Sequence, residues 1–260
     1  YQYQGICYVS IELIFSLWIN LVLIWLGSYL LFGLKHPCLD FINRFIIIFF
    51  IVCLIAIYSN TIQLTPFQTI DRNLLNIDLF LNITTPELLK FSQRHEWLNK
   101  ILNFSYGALN TQLTIVLMLL IIFPQPKIQS RIIFLLVSSS FIGFSFYYFF
   151  PSIAPASIID SPLFSGSQHQ THIKFFKIHN YMKVYDISGG LIAMPSFHCI
   201  WALICQYYFM QYKIVSLLIL PLNICLISAC LLLGWHYFVD LLVSFLIIMI
   251  LLKIIKTIDN

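Results

Sequence analysis

Charge is scarce in this chain. Only 9% of its 260 residues are Asp, Glu, Lys or Arg, where a soluble domain carries about a quarter, so an ordinary water-facing surface is excluded. The seven cysteines include no C-x-x-C pair and none falls in the two long polar loops, which argues against a zinc knuckle and a disulfide framework. A second domain, internal repeats and a low-complexity linker are missing too. The apolar stretches do not alternate with polar residues, which excludes a membrane β-barrel.

What is there is apolar sequence. Hydrophobic residues make up 60% and mean hydropathy is +0.90. Runs of about 20 apolar residues, enough to cross a ~30 Å hydrocarbon core as helix, recur along the whole length, and helix satisfies their backbone internally. The expected fold is all-α, a polytopic bundle of six to seven spans: Tyr8–Phe32, Phe45–Leu64, Ile101–Phe123, Ile132–Phe150, Phe197–Tyr212, Ile214–Leu233 and Tyr237–Ile255. The first is too long for the h-region of a signal peptide and lacks a basic n-region and a small-residue cleavage site. The chain opens on Tyr1 rather than Met, which points to a start further upstream.

Two long loops, at about 65–100 and 151–195, hold most of the Pro, Gly, acidic and His residues. Seven crossings put both on one side. The short connections on the other side carry basic residues such as Arg44, Lys127, Arg131 and Lys213, which makes that side cytoplasmic. The long loops carry as many basic residues, diluted by acids that include Asp71 and Asp78. Leu74 to Trp97 reads as one or two amphipathic interfacial helices, and the segment around "FFK" as another, lying over the pocket.

Two stretches carry the chemistry. In "GGLIAMPSFHCIWALICQYYF" (189–209), His198 stands at the mouth of a span; in "LLLGWHYFVDLLVSFLI" (231–247), His236 and Asp240 open the last one. A spacing of four puts these two on one helical face. The carboxylate can then bind one imidazole nitrogen and leave the other free to attack. His198 and His236 are 38 residues apart (236 minus 198), roughly 57 Å of helix or two crossings, so they meet at the same surface. A lone histidine there also fits an interfacial residue bonded to backbone, but a carboxylate one turn into a span costs a few kcal/mol and needs a partner. His169, His172 and His179 form a rival cluster, yet their spacing, without Cys or carboxylate among them, is a weak zinc signature. No metal is expected.

"AMPSFHC" followed two spans later by "GWHYFVDLL" resembles the second and third signature motifs of the type-2 phosphatidic acid phosphatase superfamily, nearest to its inositolphosphotransferase branch. "FYYFFPSIAPAS" (146–157) and the loop at 69–107 are similar to that branch as well, so the likeness covers roughly residues 60–255. The resemblance implies that residues 1–44 are an N-terminal span and cytoplasmic turn, and 45–260 a membrane catalytic domain. It implies that His236 attacks phosphorus to form a phosphohistidine, Asp240 orients its ring, His198 serves as acid and then base, and Ser196 binds a phosphate oxygen. No cofactor is implied. The partner is a membrane lipid substrate rather than nucleic acid, the active face is extracytoplasmic, and the oligomeric state is left open. Two departures stand out. The superfamily's first motif, Lys with Arg-Pro, is missing, and its third-motif Ser-Arg falls on Ala229 and Cys230. Candidates to neutralise the phosphate instead are Arg72, Arg94, Lys100, Lys174, Lys177 and Lys183, with Tyr106, Asn110 and Tyr148 as neutral donors. The loss also keeps a second reading open, an inactive transporter or lipid-binding scaffold of the same fold.

Overall fold

The computed structural model describes residues 11–184 and 192–259. Among these the helices in chain order are α1 (Ile11–Phe32), α2 (Pro37–Thr61), α3 (Asp71–Phe80), α4 (Thr85–Arg94), α5 (Glu96–Ile122), α6 (Pro126–Phe149), α7 (Gly166–His179), α8 (Phe197–Phe209), α9 (Lys213–Leu232) and α10 (Phe238–Asp259). Six of them, α1, α2, α5, α6, α9 and α10, are long and apolar enough to cross a membrane. The all-helical bundle expected from hydropathy is what the chain forms, and it is an integral membrane protein.

Local chemistry sets several of the ends. Proline stands in the first turn of α2, α4 and α6, where its missing N–H costs nothing. His36 caps α2, its Nδ1 accepting from Cys38 N at 3.2 Å. α2 therefore starts earlier than the apolar run and crosses the division drawn at residue 44. The part of the first expected span before residue 11 lies outside the described residues.

α8 has 13 residues, about 20 Å of helix, short of the roughly 20 residues a straight span needs. Its two ends nonetheless lie near the two ends of α6. Ahead of it, Ala193 N donates to Ser152 O at 3.2 Å, just past the end of α6. Behind it, the Tyr212 hydroxyl accepts from Gln125 Nε2 at 2.9 Å, just before the start of α6. α8 with its turn thus covers the same depth as α6. Its apolar side chains pack on both neighbours: Ile200, Ile204 and Cys205 are buried with Ile132 and Leu135 of α6 and Leu251 of α10. α1, by contrast, packs on α2 and turns most of its side chains outward.

The short-connection face is tied together as well. Arg44 Nε donates to Ile121 O at 2.9 Å, and Asp259 at the end of α10 pairs with Lys127 and Arg131 at the start of α6.

On the opposite face, the acids read above as diluting loop charge have a different task. Asp71 and Asp78 are each 1% exposed. Asp71 accepts from Ser152 Oγ at 2.9 Å and from Ile153 N and Ala154 N at 3.1 Å each. It thereby holds Ala154 at φ +99°, a conformation that L residues avoid. Asp78 accepts from Phe238 N at 2.9 Å, at the N-terminus of α10, where the helix dipole favours an anion. Burial pushes both carboxyls up from their ordinary value, against the bonds they accept. α3 is in this way a clamp joining the 152–154 segment to the start of the last span.

Candidate active site

His198 is the second residue of α8, whose N-cap is Ser196. His236 stands between α9 and α10, and Asp240 lies in the first turn of α10. The two imidazoles face each other with ring centroids 6.2 Å apart. The depth expected from the 38-residue interval is therefore met, and the two rings share one surface.

His236 is held at one nitrogen only. Its Nδ1 lies 2.9 Å from Ala193 O and 3.3 Å from Asp240 Oδ2. Two acceptors at Nδ1 place the proton there and leave the Nε2 lone pair for an electrophile. His236 is 5% exposed, and burial pushes its imidazole down to about 4, with the Ala193 carbonyl opposing. The ring is neutral at physiological pH. Asp240 is fully buried and its Oδ2 also accepts from Tyr237 N at 2.9 Å, so the carboxylate is fixed from two sides.

α8 and α10 are stitched at the site. Ser244 Oγ donates to Ser196 O at 3.1 Å and to Asp240 O at 2.7 Å. This registers the helix that carries His198 against the one that carries Asp240. Ser196 itself is fully buried. Its Oγ accepts from Cys199 N at 3.3 Å and lies 3.8 Å from Cys230 Sγ. The structure thus gives the hydroxyl a capping role, with Cys230 packed beneath it. Gly143 of α6 leaves room for this corner, since a Cβ there would come within 2.7 Å of the Phe197 ring.

Aromatic rings form one wall. Tyr106 of α5 stacks on His198 at 4.0 Å between centroids, and Trp235 stacks on the other side of Tyr106 at 5.5 Å. The sequence put Tyr106 near a span mouth, with packing or anchoring as its ordinary role, and gave no sign of the stack. Ile153, Ala154, Thr171, Ile192 and Ala193 complete a cleft of about 40 Å³. That is room for water rather than for a phosphoryl group with its ester oxygens, so admission of a substrate requires the wall to part.

Of the loop cations named above, Lys174 is buried, at 1% exposure. It is three residues beyond the cleft-lining Thr171 on α7, hence on the same side of that helix. Lys100 pairs with Glu96 at 2.6 Å on the exposed surface of α5, and Arg72, Arg94 and Lys183 are exposed. His179 does not join a cluster with its neighbours: its two ring nitrogens lie 2.9 Å from Phe175 O and 3.0 Å from Thr65 O. Among the described residues no three His, Cys, Asp or Glu side chains are grouped to hold a metal ion.

A family model described as the PAP2 superfamily matches residues 72–254. The chain belongs to the PAP2 superfamily. No curated protein and no solved structure matches it. The match runs from α3 into α10, so Asp78 of the clamp, the two histidines and Asp240 all fall inside the PAP2 region, while α1 and α2 lie outside it. PAP2 members are generally phosphoric ester hydrolases, and membership points to a membrane lipid phosphatase-type function.

Gly234 holds the loop that delivers His236. It has φ +72°, and a Cβ there would lie 2.9 Å from the Phe164 ring and 3.2 Å from Leu89. In this PAP2 chain Gly234→Ala is expected to lose about 1–2 kcal/mol of stability from backbone strain alone. Thermal unfolding of the purified protein in detergent measures it, and an unchanged midpoint would contradict the packing described.

Proposed function

We propose that this PAP2 chain is a lipid phosphatase or phosphotransferase working through a phosphohistidine, with its active face extracytoplasmic. The observation that carries the reading is the single free nitrogen of His236, directed by Asp240 and Ala193 and facing His198 across 6.2 Å. His236 Nε2 attacks phosphorus while the bond from phosphorus to the leaving oxygen breaks, and His198 gives that oxygen its proton. An incoming hydroxyl then attacks the phosphohistidine, His198 takes the hydroxyl proton, and the phosphorus–nitrogen bond breaks. Asp240 holds the Nδ1 side of the ring and offsets the charge that develops on the imidazole. Of the loop cations, Lys174, buried on the Thr171 side of α7, is the candidate for the positive charge that phosphoryl transfer needs, in place of the arginines that the superfamily motifs carry.

A second cavity favours headgroup transfer, in the manner of the inositolphosphotransferase branch, over simple hydrolysis of a phosphomonoester. It measures about 350 Å³ and shares Trp235 with the cleft. Its polar wall consists of Ser92, Gln93, Asn99, Asn103, Ser167 and Gln168 among others, all uncharged hydrogen-bonding groups beside an aromatic ring. Such a wall suits a neutral polyol rather than water or a second anion.

Product analysis tests this. Purified protein is incubated with labelled phosphatidic acid, a polyprenyl diphosphate, and a phosphodiester lipid bearing a cyclitol headgroup together with a lipid alcohol. A new labelled lipid is the expected result. Free phosphate alone would leave the phosphatase reading and end the transferase one. Neither product, with no binding of vanadate as a mimic of pentacoordinate phosphorus, would favour the inactive scaffold.

A further inference from the structure

An apolar groove in the spanning region begins about one helical turn beneath the cleft. It has a volume of about 360 Å³ and is walled by α2, α5, α6 and α8. Two of its walls descend from the catalytic rings. Tyr106 stacks on His198, and Asn110 and Thr114, both in the groove wall, come next on the same face of α5 at about 6 and 12 Å further down the helix. On α8, Trp201 lies one turn beyond His198 and also lines the groove. Deeper in, Ile51 and Leu117 make it purely apolar.

The polar groups are the unexpected part. Asn110 stands exposed inside a membrane-spanning helix, where an amide facing only hydrocarbon is unfavourable. Trp201 Nε1 is buried in the same wall with no hydrogen-bond partner. Thr114 Oγ1 donates to Asn110 O at 2.8 Å, which leaves its own lone pairs to face the groove. A plain hydrocarbon chain would satisfy none of these groups. A chain that begins with a carbonyl a few bonds from phosphorus would meet them at the right depth.

We propose that the groove seats one acyl chain of the lipid whose phosphate lies at His236, with the Asn110 amide and the Trp201 N–H donating to the carbonyl oxygen of its ester or amide linkage. The inference rests on the functional reading above and narrows it: the substrate is an acylated glycerolipid or sphingoid lipid rather than a polyprenyl phosphate. The carbonyl is common to an ester-linked diacyl lipid and to an N-acyl lipid, and the experiment separates them.

Binding is measured in nanodiscs with photoactivatable phosphate lipids carrying a diazirine on the chain, in ester-linked, N-acyl and dialkyl ether forms. Labelling needs no turnover, so it is also run on His236→Ala. The expected result is labelling of peptides from α2 and α5 around Ile51 and Leu117, with the carbonyl-bearing lipid preferred over the ether form by about three- to tenfold. The preferred form between ester and amide identifies the lipid class. Asn110→Leu, which removes a polar group from the membrane and is expected to fold, should erase the preference, as should Trp201→Phe. Leu117→Trp should shift labelling toward shorter chains. Equal labelling by ester and ether lipids, or labels confined to α1, would overturn the proposal. Correct labelling of the groove without any product would instead sink the reaction assigned to His236 and leave the groove standing.

Discussion

His236→Ala is expected to abolish turnover, with kcat falling about 10⁵-fold or more, while the protein remains folded. The size of the effect reflects what the side chain contributes. His236 brings to the cleft an imidazole nitrogen whose tautomer is fixed by neighbouring acceptors, and the other imidazole of the wall, His198, is assigned the proton transfers. The structural loss is small by comparison: a half-wall of the cleft and the Nδ1 hydrogen bonding to Ala193 and Asp240. The check is a rapid-quench reaction with a phosphate-labelled lipid. Wild type should carry a protein-bound label that is stable in base and lost in acid, as a phosphorus–nitrogen bond is, and the variant should carry none. A variant that retains label would place the nucleophile elsewhere.

The second large effect is expected for Asp240→Asn, a loss of about 10³- to 10⁴-fold in kcat. An amide at this position can offer an N–H to His236 Nδ1 and so move the ring proton to Nε2, where the attacking lone pair is needed. The carbonyl of Ala193 at 2.9 Å opposes the flip, which is why some activity should persist. Thermal stability should hold or rise, because the carboxyl group is fully buried and a charge there is costly to keep. That separation of rate from stability distinguishes orientation of the base from a structural ion pair. The pH profile provides a further handle. Burial sets the His236 imidazole near 4, and a protonated ring has no lone pair to donate. Loss of that lone pair should place an acid limb of the wild-type profile near pH 4. An acid limb at the ordinary histidine value would mean that the ring is less enclosed than described.

Much of this was legible in the sequence because helices convert residue intervals into depth. The span lengths, the meeting of His198 and His236 after two crossings, and the pairing of His236 with Asp240 all come from a rise per residue and a repeat per turn. Even α8, shorter than the run that suggested it, returns the chain to the expected face. What could not be read depends on contacts between distant parts of the chain. Asp71 and Asp78 lie in a polar loop and look like solvated charge, but their partners are 81 to 83 and 160 residues away. Nothing local announces burial of that kind. The same holds for Tyr106 against His198 and for Lys174, whose neighbours in sequence are as polar as those of the exposed Lys183. Ser196 shows the converse. Its place two residues before His198 suggested a phosphate contact, whereas the first turn of α8 needs a cap and its hydroxyl accepts from Cys199 N there.

The length of α5 bears on the fate of the first product. Ten residues of that helix, Glu96 to Ser105, rise above Tyr106, about 15 Å of additional wall, and α4 packs alongside. On the proposed reading, phosphorus at His236 would therefore lie below the top of α5 and not on an open bilayer plain. A departing alcohol would then have to climb past that wall before it is diluted, and a lipid hydroxyl arriving sideways from the leaflet would have the shorter path.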